Sequence, residues 1–380
     1  MAEPFKNLIN DELIRTCGRH LQRAWPPFPR ARFEAQARTG LGALELKARA
    51  MHVADALAAS LPADFAAAAD VIEAALAPAP DPEAATEELA SLRPSDAGLA
   101  GWIVWPLGEL VARSGLRHPE RALQALHALT QRFSAEFAIR PFLVHHPELT
   151  LATLLGWTRD PSAHVRRLVS EGSRPRLPWG QRLGALIADP SPTRPLLLAL
   201  QDDPSEYVRR SVANHLNDIA KDHPEYVADW LERFLPDAPP ERAALLRHAS
   251  RTLIKAGHPR VLTLFGAGQA FAGSAHLGVD PQQLLLGEEV TLTLVLRSQA
   301  AAPQQLVIDY AIHHPGARGV RPPKVYKGWK VTLGVGQSTT LQRRHSMRKV
   351  TTRSYYAGRH AVDIRINGQL VISSAFELRL

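Results

Sequence analysis

The sequence contains one cysteine, Cys17, among its 380 residues. A single cysteine excludes an intramolecular disulfide, and a reducing compartment is the simplest interpretation of this cysteine usage. There is neither a CxxC motif nor a cluster of cysteine and histidine residues, so we expect no structural zinc site. The fold therefore depends on hydrophobic packing, and a hydrophobic content of 45% leaves room for two or three domains.

Long apolar stretches are missing as well. The N-terminal residues 1–20 mix acidic and basic side chains from the third position onward and lack the apolar core of a signal peptide. No segment approaches the roughly 18 uninterrupted apolar residues that a membrane span needs. We therefore predict a cytoplasmic protein that makes no contact with a membrane.

Several catalytic signatures are also absent. A serine or cysteine hydrolase is not supported, because there is no GxSxG nucleophile elbow and no suitably placed Cys/His pair. The doublets His145-His146 and His313-His314 have no third ligand nearby, so we interpret them as loop or surface residues. We expect neither a metal ion nor a cofactor.

Positive charge is in excess and is unevenly distributed. Lys and Arg number 45 against 37 Asp and Glu, a net charge of +8. Residues 270–380 hold 14 basic and 6 acidic side chains, whereas residues 1–269 hold 31 of each. Residues 55–120 form an acidic block with 3 basic and 11 acidic side chains. This pattern predicts an anionic partner that is attracted most strongly by the C-terminal part of the chain.

Helical periodicity dominates the chain up to residue 258. Apolar side chains recur at helical spacing over residues 41–57, and a second helix is predicted from Pro119. Its expected apolar stripe consists of Leu123, Leu126, Leu129 and Phe133. The proline-rich residues 78–82 predict a loop between two helical blocks, because proline lacks the amide donor that a helix needs.

An eight-residue motif occurs twice, 43 residues apart. DPSAHVRR at residues 160–167 aligns with DPSEYVRR at residues 203–210, and a leucine-rich helical segment precedes each copy. Such spacing is typical of HEAT-like helical hairpins, which have about 40 to 47 residues per repeat. We expect Asp to cap the helix or turn the chain, Pro to open the helix and Val to face the core. These features predict a HEAT-like α-solenoid.

After Gly266 the hydrophobic period changes from about 3.6 to about 2 residues. Alternating apolar residues over 290–296, 306–312 and 362–366 predict strands, and Asn367-Gly368 predicts a type I′ hairpin turn. Strands of this length and spacing without a cysteine pair are typical of an immunoglobulin-like sandwich that lacks the core disulfide. We predict a mostly α protein, with residues 1–268 forming the solenoid and residues 269–380 an all-β sandwich.

The repeat brings charged residues into register. Arg167 maps onto Arg210 and Glu171 onto Asn214, and Asp218 follows Asn214 by one helical turn. We predict a concave wall on which carboxylates lie among arginines. The alternative is ordinary ion pairing on an exposed helix, which is common and contributes only about 0.2–0.5 kcal/mol per pair.

Residues 170–179 have an unusual composition for a loop between repeats. Gly172 can end the preceding helix, two prolines stiffen the path, and Trp179 lies beside Arg174 and Arg176. An aromatic ring beside arginine suits stacking on a base or sugar with phosphate contacts. The alternative is a core tryptophan that fills the seam between repeats.

Several of these segments resemble those of AlkC-type DNA alkylation repair proteins. The resemblance is carried by residues 136–142, 165–179 and 208–218. Residues 345–353 and 355–360 resemble the immunoglobulin-like domain that part of this family carries. The similarity covers most of the chain after residue 100, and the first 75 residues match only in helical character.

This resemblance implies a monofunctional DNA glycosylase of base excision repair in a bacterial cytoplasm, associated with the nucleoid when it acts on DNA. Its substrates would be cationic N3-alkylated bases, notably 3-methyladenine and 3-methylcytosine, excised from double-stranded DNA without full base flipping. By the family pattern, Glu136, Glu171, Trp179 and Asp218 fall where the lesion-contacting and catalytic groups lie. Glu171 and Asp218 are the expected pair for chemistry, and Trp179 is expected to pack against the lesion nucleotide.

Basic residues are expected to hold the DNA phosphates. Around the groove these are Arg140, Arg167, Arg174, Arg176, Arg209 and Arg210. In the sandwich, basic segments at residues 318–330 and 343–353 include Lys324, Lys327 and Lys330, and we expect them to clamp DNA against the solenoid. A solenoid closed on DNA by its own sandwich needs no second subunit, so a monomer is expected.

Two alternatives from other classes remain open. HEAT-like solenoids often bind peptides or proteins, so the chain could be an interaction scaffold without catalytic activity. A DNA-binding relative that lacks catalysis would retain the arginines but not the carboxylates. Carboxylates aligned with arginines and a sandwich of +8 favour the enzyme over both.

Overall fold

The architecture comes from a computed structural model that describes residues 4–81, 89–265, 269–316, 319–320, 322–350 and 354–380. The chain forms two compact units. The first unit comprises Met1–His223 and Ala238–Ala249, and the second comprises Pro224–Asp237 and Ser250–Leu380.

Helices make up nearly all the regular structure before residue 265. The described helices are α1 Asp11–Ala24, α2 Arg30–Arg38, α3 Leu46–Ala58, α4 Phe65–Ala74, α5 Val104–Ser114, α6 Pro119–Thr130, α7 Arg140–His145, α8 Pro147–Trp157, α9 Ala163–Gly172, α10 Gly184–Ala188, α11 Arg194–Leu200, α12 Glu206–Ile219, α13 Pro224–Phe234, α14 Pro240–Ala249, α15 Arg251–Ala256 and α16 Pro259–Leu264. Short 3-10 turns include Phe5–Leu8. The helices predicted over residues 41–57 and from Pro119 are present as α3 and α6, and their apolar stripes are buried. Residues 77–81 have no regular structure, as predicted from their prolines, and Pro82 lies outside the described residues.

The two copies of the repeated motif have the same local geometry. The carboxylate of Asp160 accepts a hydrogen bond from the backbone N of Ser162 at 2.8 Å, and Asp203 does the same for Ser205 at 2.9 Å. The aspartate therefore turns the chain, as expected. The helix begins two residues after the proline, so the prediction that proline opens it is wrong, because Ser occupies the N-cap position.

Both arginines of each motif copy follow a fully buried valine. The first arginine, Arg166 or Arg209, donates to the two carbonyls of the Asp-Pro pair before its own helix, at 2.6–2.9 Å. This contact satisfies backbone groups at the helix start. The second arginine, Arg167 or Arg210, makes other contacts. Because α9 packs against α12, these two arginines lie on neighbouring repeats.

Two sheets, antiparallel except for one strand pair, share one core in the second unit. The strands are β1 Gly273–Asp280, β2 Gln283–Leu285, β3 Glu289–Ser298, β4 Gln304–His313, β5 Pro315–Gly316, β6 Gly319–Val320, β7 Lys324–Leu333, β8 Ser338–Ser346, β9 Gly358–Ile366 and β10 Gln369–Arg379. One sheet has the order β1-β3-β8 and the other β2-β10-β9-β4-β7, with β2 parallel to β10. Alternate residues of β3, β4 and β9 are buried together, which confirms the predicted strands and the sandwich.

The predicted Asn367-Gly368 turn joins β9 to β10. Both residues have positive φ, 50° and 79°, as a type I′ turn requires. The Asn367 side chain accepts from the backbone N of Val307 at 2.9 Å and donates to the carbonyl of Gln269 at 2.8 Å. The turn is therefore also a tie between the sheet and the segment that enters it.

Helices α13, α15 and α16 belong to the same compact unit as the sandwich. Within this unit Arg260 of α16 pairs with Glu225, Asp229 and Glu232 of α13. Gly257, at the end of α15, lies directly against Gly368 of the hairpin turn. The compact units thus interleave along the chain, and a boundary after residue 268 stays a prediction. Among the described helices, none is long and apolar enough to cross a membrane.

Gly368 provides a test of this packing. An added Cβ would lie 2.4 Å from Gly257 Cα and 2.8 Å from Leu262 Cδ1. We expect Gly368→Ala to lower the free energy of unfolding of the second unit by about 2–4 kcal/mol, because left-handed strain and overpacking add. Gly336→Ala is the matched control, since its φ is 66° but its Cβ would meet open space. Urea denaturation of both variants measures the difference, and equal costs would contradict the contact.

Candidate active site

A cleft of about 670 Å³ lies in the first unit. It is lined by Leu89, Ser91, Trp102, Trp105, Phe133, Ser134, Glu136, Phe137, Arg167, Glu171, Arg174, Leu177, Pro178, Trp179 and Tyr207. Five of the residues predicted from the sequence to form a site are therefore together, and aromatic rings surround them. This combination of carboxylates, arginines and aromatic rings offers contacts for a cationic, planar group.

Glu171 is held at the end of α9 with both carboxylate oxygens occupied. Oε1 accepts from Nη1 of Arg174 at 2.6 Å, and Oε2 accepts from the Ser211 hydroxyl at 2.6 Å. Burial alone would raise the pKa of Glu171, but Arg167, Arg174 and Ser211 favour the charged form and hold this pKa below its ordinary value of 4.5. Glu171 is therefore an ionised carboxylate at neutral pH, although only 5% of the residue is exposed.

Asp218 lies on α12 and is joined to Glu171 through one arginine. Arg174 donates from Nε to Asp218 Oδ2 at 2.8 Å, while its Nη1 binds Glu171. Lys221 donates to the other Asp218 oxygen at 2.7 Å. Asp218 is 1% exposed and does not line the cleft, whereas Arg174 does. The two acids predicted to act in chemistry are thus bridged by a residue that the sequence predicts to hold a phosphate.

Glu136 and Arg167 form a second ion pair in the same cleft. Arg167 donates from Nη1 to Glu136 Oε2 at 2.5 Å and to the Ser134 hydroxyl at 2.7 Å. Its guanidinium carbon lies 5.4 Å from the centre of the Tyr207 ring. Arg167 also approaches Glu171 to 3.5 Å. Charges in this cleft therefore alternate in sign, and each buried charge has a partner of the opposite sign.

His215 fixes the position of α9 against α12. Its Nδ1 donates to the carbonyl of Ser170 at 3.0 Å, next to Glu171, and the imidazole is fully buried. Burial lowers the pKa of His215 to about 4, so the ring is neutral at physiological pH. The sequence pattern did not single out this histidine, because nothing in the repeat distinguishes it from a surface residue.

Trp179 is displayed at the surface in a left-handed backbone conformation. Its φ is 64°, and 66% of the residue is exposed. Its carbonyl accepts a hydrogen bond from Nζ of Lys47 at 3.0 Å. A bulky residue in this conformation is strained and persists only where the surroundings impose it. The alternative of a core tryptophan is therefore wrong, and the ring is available to stack on a ligand.

Arg140 is fully buried beneath the loop that carries Trp179. It donates from Nη1 to the Gly172 carbonyl at 2.8 Å and from Nε to the Gln181 carbonyl at 2.6 Å. Burial, together with the charge of Arg174, lowers the pKa of Arg140 to about 10. The phosphate contact predicted for Arg140 does not fit this placement, because no part of the side chain reaches solvent. Instead it ties the start of the loop to its end.

The other predicted phosphate ligands differ in exposure. Arg176 makes two hydrogen bonds of 2.6 Å to Asp222, and Arg209 holds the backbone at the start of α12. Arg210 is exposed on α12. A short sequence motif cannot separate these roles, because adjacent residues of a helix point in different directions.

Lys324, Lys327 and Lys330 are exposed on β7 of the second unit. β7 is an edge strand of its sheet, and a bulge at Gly328 places Lys327 opposite Asp309 and Lys330 opposite Val307. Lysines on an edge strand also prevent pairing with another chain, so their position alone does not define a DNA contact. Arg318, Arg321 and Arg353 lie outside the described residues.

No group of three or more potential metal ligands occurs within the part of the chain that the structure describes. The functional neighbours that the sequence did not predict are the aromatic residues Trp102, Trp105, Phe133 and Phe137, the hydroxyl of Ser211, and Lys47. Of these, only the two tryptophans carried a signal in the sequence, since the chain has just 7 tryptophans. Lys47 comes from a segment more than a hundred residues away from Trp179, which no local pattern connects.

Comparison with known proteins gives two full-length relatives. A family profile described as "Uncharacterised protein YhaZ, C-terminal Ig-like domain" matches residues 274–380. The uncharacterized protein YhaZ of Bacillus subtilis (strain 168) is 36% identical over 375 residues, which cover 98% of this chain and 99% of YhaZ. The Pseudomonas fluorescens alkylpurine DNA glycosylase AlkC, solved bound to DNA containing an abasic site analog, matches with a TM-score of 0.86 and 38% identity over all of both chains.

Fold and site together define a class of proteins in which a helical-repeat region with a charged, aromatic cleft precedes an immunoglobulin-like domain. The chain belongs to the family that contains AlkC and YhaZ. The resemblance recognised in the sequence motifs is thereby confirmed, and it extends to the first 75 residues.

The pairing of Glu171 predicts a defined pH dependence of stability. Because its folded-state pKa is below the ordinary 4.5, the ionised form stabilises the folded protein above that pH, and this contribution is lost as the pH falls through the folded-state pKa. We expect Glu171→Gln to lower the free energy of unfolding by about 2–4 kcal/mol at neutral pH. The difference from the wild type should shrink below about pH 4.5 in denaturant titrations. Glu148→Gln, at an exposed position on α8, controls for the loss of one charge. A difference that stays constant down to about pH 3 would contradict the buried ion pair.

Proposed function

We propose that this protein is a monofunctional DNA glycosylase of base excision repair. Its substrates would be cationic N3-alkylated bases, 3-methyladenine and 3-methylcytosine, in double-stranded DNA. The reaction is hydrolysis of the N-glycosidic bond without full base flipping, by a monomer that uses neither metal nor cofactor. The observation that carries the proposal is the exposed Trp179 beside the Glu136–Arg167–Glu171 ion-pair group in one cleft, in a chain that is 38% identical to AlkC over its full length.

The chemistry of the lesion determines what the cleft must supply. An N3-methylated base is positively charged, so its glycosidic bond is weak and the departing base needs no general acid. The protein has to stabilise the sugar as it becomes cationic and to position a water for attack. Ionised carboxylates can do both, and Glu171 is kept ionised by its partners.

Glu136 and Glu171 line the cleft and are assigned to face the cationic base and sugar. Trp179 is assigned to pack against the lesion nucleotide. Asp218 is assigned to stabilise the sugar cation and orient the water. Arg174 and Lys221 each donate to one Asp218 oxygen in the DNA-free protein, so this role requires one of these cations to move when DNA binds, and Arg174 is the one that lines the cleft.

Arg174 also accounts for selectivity toward cationic bases. In the free protein it supplies the positive charge between Glu171 and Asp218. A cationic lesion can replace this charge, so the two acids remain compensated when Arg174 moves. A neutral base would leave Glu171 with Arg167 and Asp218 with Lys221 as their remaining counter-charges, which is less favourable than a cationic base in the place of Arg174.

Removal of the carboxylates tests the catalytic assignment. We expect Glu171→Gln to slow single-turnover release of 3-methyladenine from alkylated DNA by about 10²–10³-fold, because a charge that stabilises the transition state is removed. The double variant Asp218→Asn, Glu171→Gln should cost less than the product of the single effects, since the two acids share Arg174. Glu148→Gln is the control variant.

The outcome that contradicts the assignment is a double variant that binds DNA and excises as fast as the wild type. A scaffold without catalytic activity predicts no base release by the wild-type protein at any concentration. Release of 3-methylcytosine from a matched duplex is measured in parallel, because the two bases differ in size and in the atoms they present to the cleft.

The sandwich is proposed to bind DNA phosphates through β7. Lys327 and Lys330 lie opposite Asp309 and Val307 of β4. The residues that flank Asp309 and Val307 along β4 face the core, so both lysines project from the outer face of the sheet. We expect Lys327→Met, Lys330→Met to weaken DNA binding and to reduce the slope of log affinity against log salt by about one for each phosphate that is no longer neutralised. Arg297→Met, an exposed cation on β3, is the matched control. An unchanged slope would favour edge protection as the only role of these lysines.

Point substitutions are better than deletion of residues 270–380, because α13, α15 and α16 share a compact unit with the sandwich.

A further inference from the structure

A second cavity, of about 820 Å³, adjoins the cleft and has no role in the reaction proposed above. It is lined by Pro4, Phe5, Lys6, Glu45, Leu46, Lys47, Trp105 and Trp179. Trp105 and Trp179 line both cavities, so the two cavities are adjacent at these residues. Its volume is within the range of about 300–1,000 Å³ that is typical of small-ligand sites.

The wall contributed by the N-terminal segment is firmly built. Arg49 of α3 is buried and donates to the carbonyls of Lys6 and Ile9 at 2.9 and 2.8 Å, and to that of Leu44 at 2.9 Å. These bonds fix the 3-10 turn Phe5–Leu8 against α3. Phe5 nevertheless remains 65% exposed. An exposed aromatic side chain on a fixed backbone segment is positioned for contact with a ligand.

Aromatic contacts connect this wall to the cleft. Phe5 packs edge-on against Trp102 with ring centres 5.9 Å apart, and Trp102 lines the cleft itself. Trp102 in turn packs against Trp105 at 6.2 Å. Phe5, Trp102 and Trp105 therefore form one aromatic cluster, and Trp105 shares the lining of both cavities with Trp179.

Two lysines give this cavity its charge. Lys47 is exposed, and its Nζ binds the Trp179 carbonyl at 3.0 Å. Lys6 pairs with Glu45 at 3.0 Å, on a side of the cavity where Glu45 is almost fully exposed. Since exposed ion pairs are weak, a phosphate can compete for Lys6. Flat aromatic rings combined with lysines are the features that single-stranded nucleic acid binders use to hold a nucleotide.

We propose that this cavity binds the nucleotide next to the lesion on the lesion-bearing strand. Its base stacks on Phe5 and Trp179, and its phosphate contacts Lys47 and Lys6. The inference rests on the proposed glycosylase function, because the position of the cavity is defined relative to the lesion cleft. An apolar peptide is a poorer occupant, since it offers no anionic group to Lys47, whose Nζ binds only a backbone carbonyl among the contacts described above.

The site has a consequence for how the lesion is exposed. A base held on Phe5 no longer stacks on the lesion, so one face of the alkylated base is freed without rotating it out of the duplex. Lys47 also acts as a positioning residue, because it binds both the proposed phosphate and the backbone that displays Trp179. Occupation of the second cavity is thereby coupled to the placement of the ring that packs against the lesion.

Replacing single phosphates of the DNA by uncharged methylphosphonates, one position at a time, tests the phosphate contact. The probe is a duplex with an abasic site analog at the lesion position and one methylphosphonate, moved through the linkages on either side. We expect one linkage adjacent to the lesion at which the substitution weakens wild-type binding about tenfold, or ~1.4 kcal/mol. The same substitution should have no effect on Lys47→Met and should retain its effect on Lys47→Arg. Arg117→Met, an exposed cation that lines neither cavity, should behave as the wild type.

Substitution of Phe5 tests the stacking contact. Phe5→Ala should weaken binding to the same duplex by about 5- to 150-fold, the range for one base stacked on an aromatic ring, and Phe5→Trp should restore it. Because Phe5 is exposed, neither variant is expected to unfold the protein, which thermal denaturation checks. Equal methylphosphonate penalties in the wild type and Lys47→Met at every linkage would overturn the site.

Base release measured on the same proteins separates this inference from the proposed function. If the wild type excises the base but no linkage shows a methylphosphonate penalty that depends on Lys47, the nucleotide site is overturned and the glycosylase function stands. A Lys47-dependent linkage without any excision supports the site and overturns the glycosylase function.

Discussion

The structure of the candidate site depends on one constraint, which is that charges buried from water must be compensated. Arg174 meets this constraint for two carboxylates at once, since it binds Glu171 at the end of α9 and Asp218 on α12. These helices belong to successive repeats, so the pairing of the charges also sets the distance between the repeats. The neutral His215 also joins these two helices, because it donates a hydrogen bond from α12 to the Ser170 carbonyl of α9. These ion pairs are complete without DNA, so the carboxylates are held in place before any ligand binds.

The loop after α9 shows the same principle applied to the backbone. Its carbonyls at Gly172 and Gln181 are satisfied by the buried Arg140, and the carbonyl of Trp179 by Lys47. With both ends and the tip held, the chain can keep Trp179 in a strained conformation with its ring in solvent. An exposed, rigid aromatic ring loses little entropy when it stacks on a ligand, which is the physical reason to place it beside the carboxylates of the cleft.

Much of the fold could be predicted because it follows from local periodicity. The buried positions of α3 and α6, the alternation in β3, β4 and β9, and the left-handed Asn367-Gly368 turn each depend on residues close in sequence. The pairing of α9 with α12 was accessible through the repeated motif. The roles of the arginines were not, because Arg140, Arg174 and Arg210 have the same chemistry in the sequence and differ only in what surrounds them. Composition showed a surplus of cations and could not distinguish those that face a partner from those that hold carbonyls and carboxylates.

The sequence by itself determined that a helical-repeat region precedes an immunoglobulin-like sandwich. Its net charge predicted an anionic partner, and the family resemblance of its motifs predicted Glu136, Glu171, Trp179 and Asp218 as site residues. Periodicity, a repeated motif and net charge are properties of the chain that no neighbour can change. Only the tertiary structure decided that Trp179 is exposed rather than buried and that Asp218 lies behind Arg174. It also decided that Phe5 and Lys47 line a cavity beside the cleft. These facts depend on contacts between residues 44 to more than 100 positions apart, and burial and pairing across such distances arise only when the repeats pack.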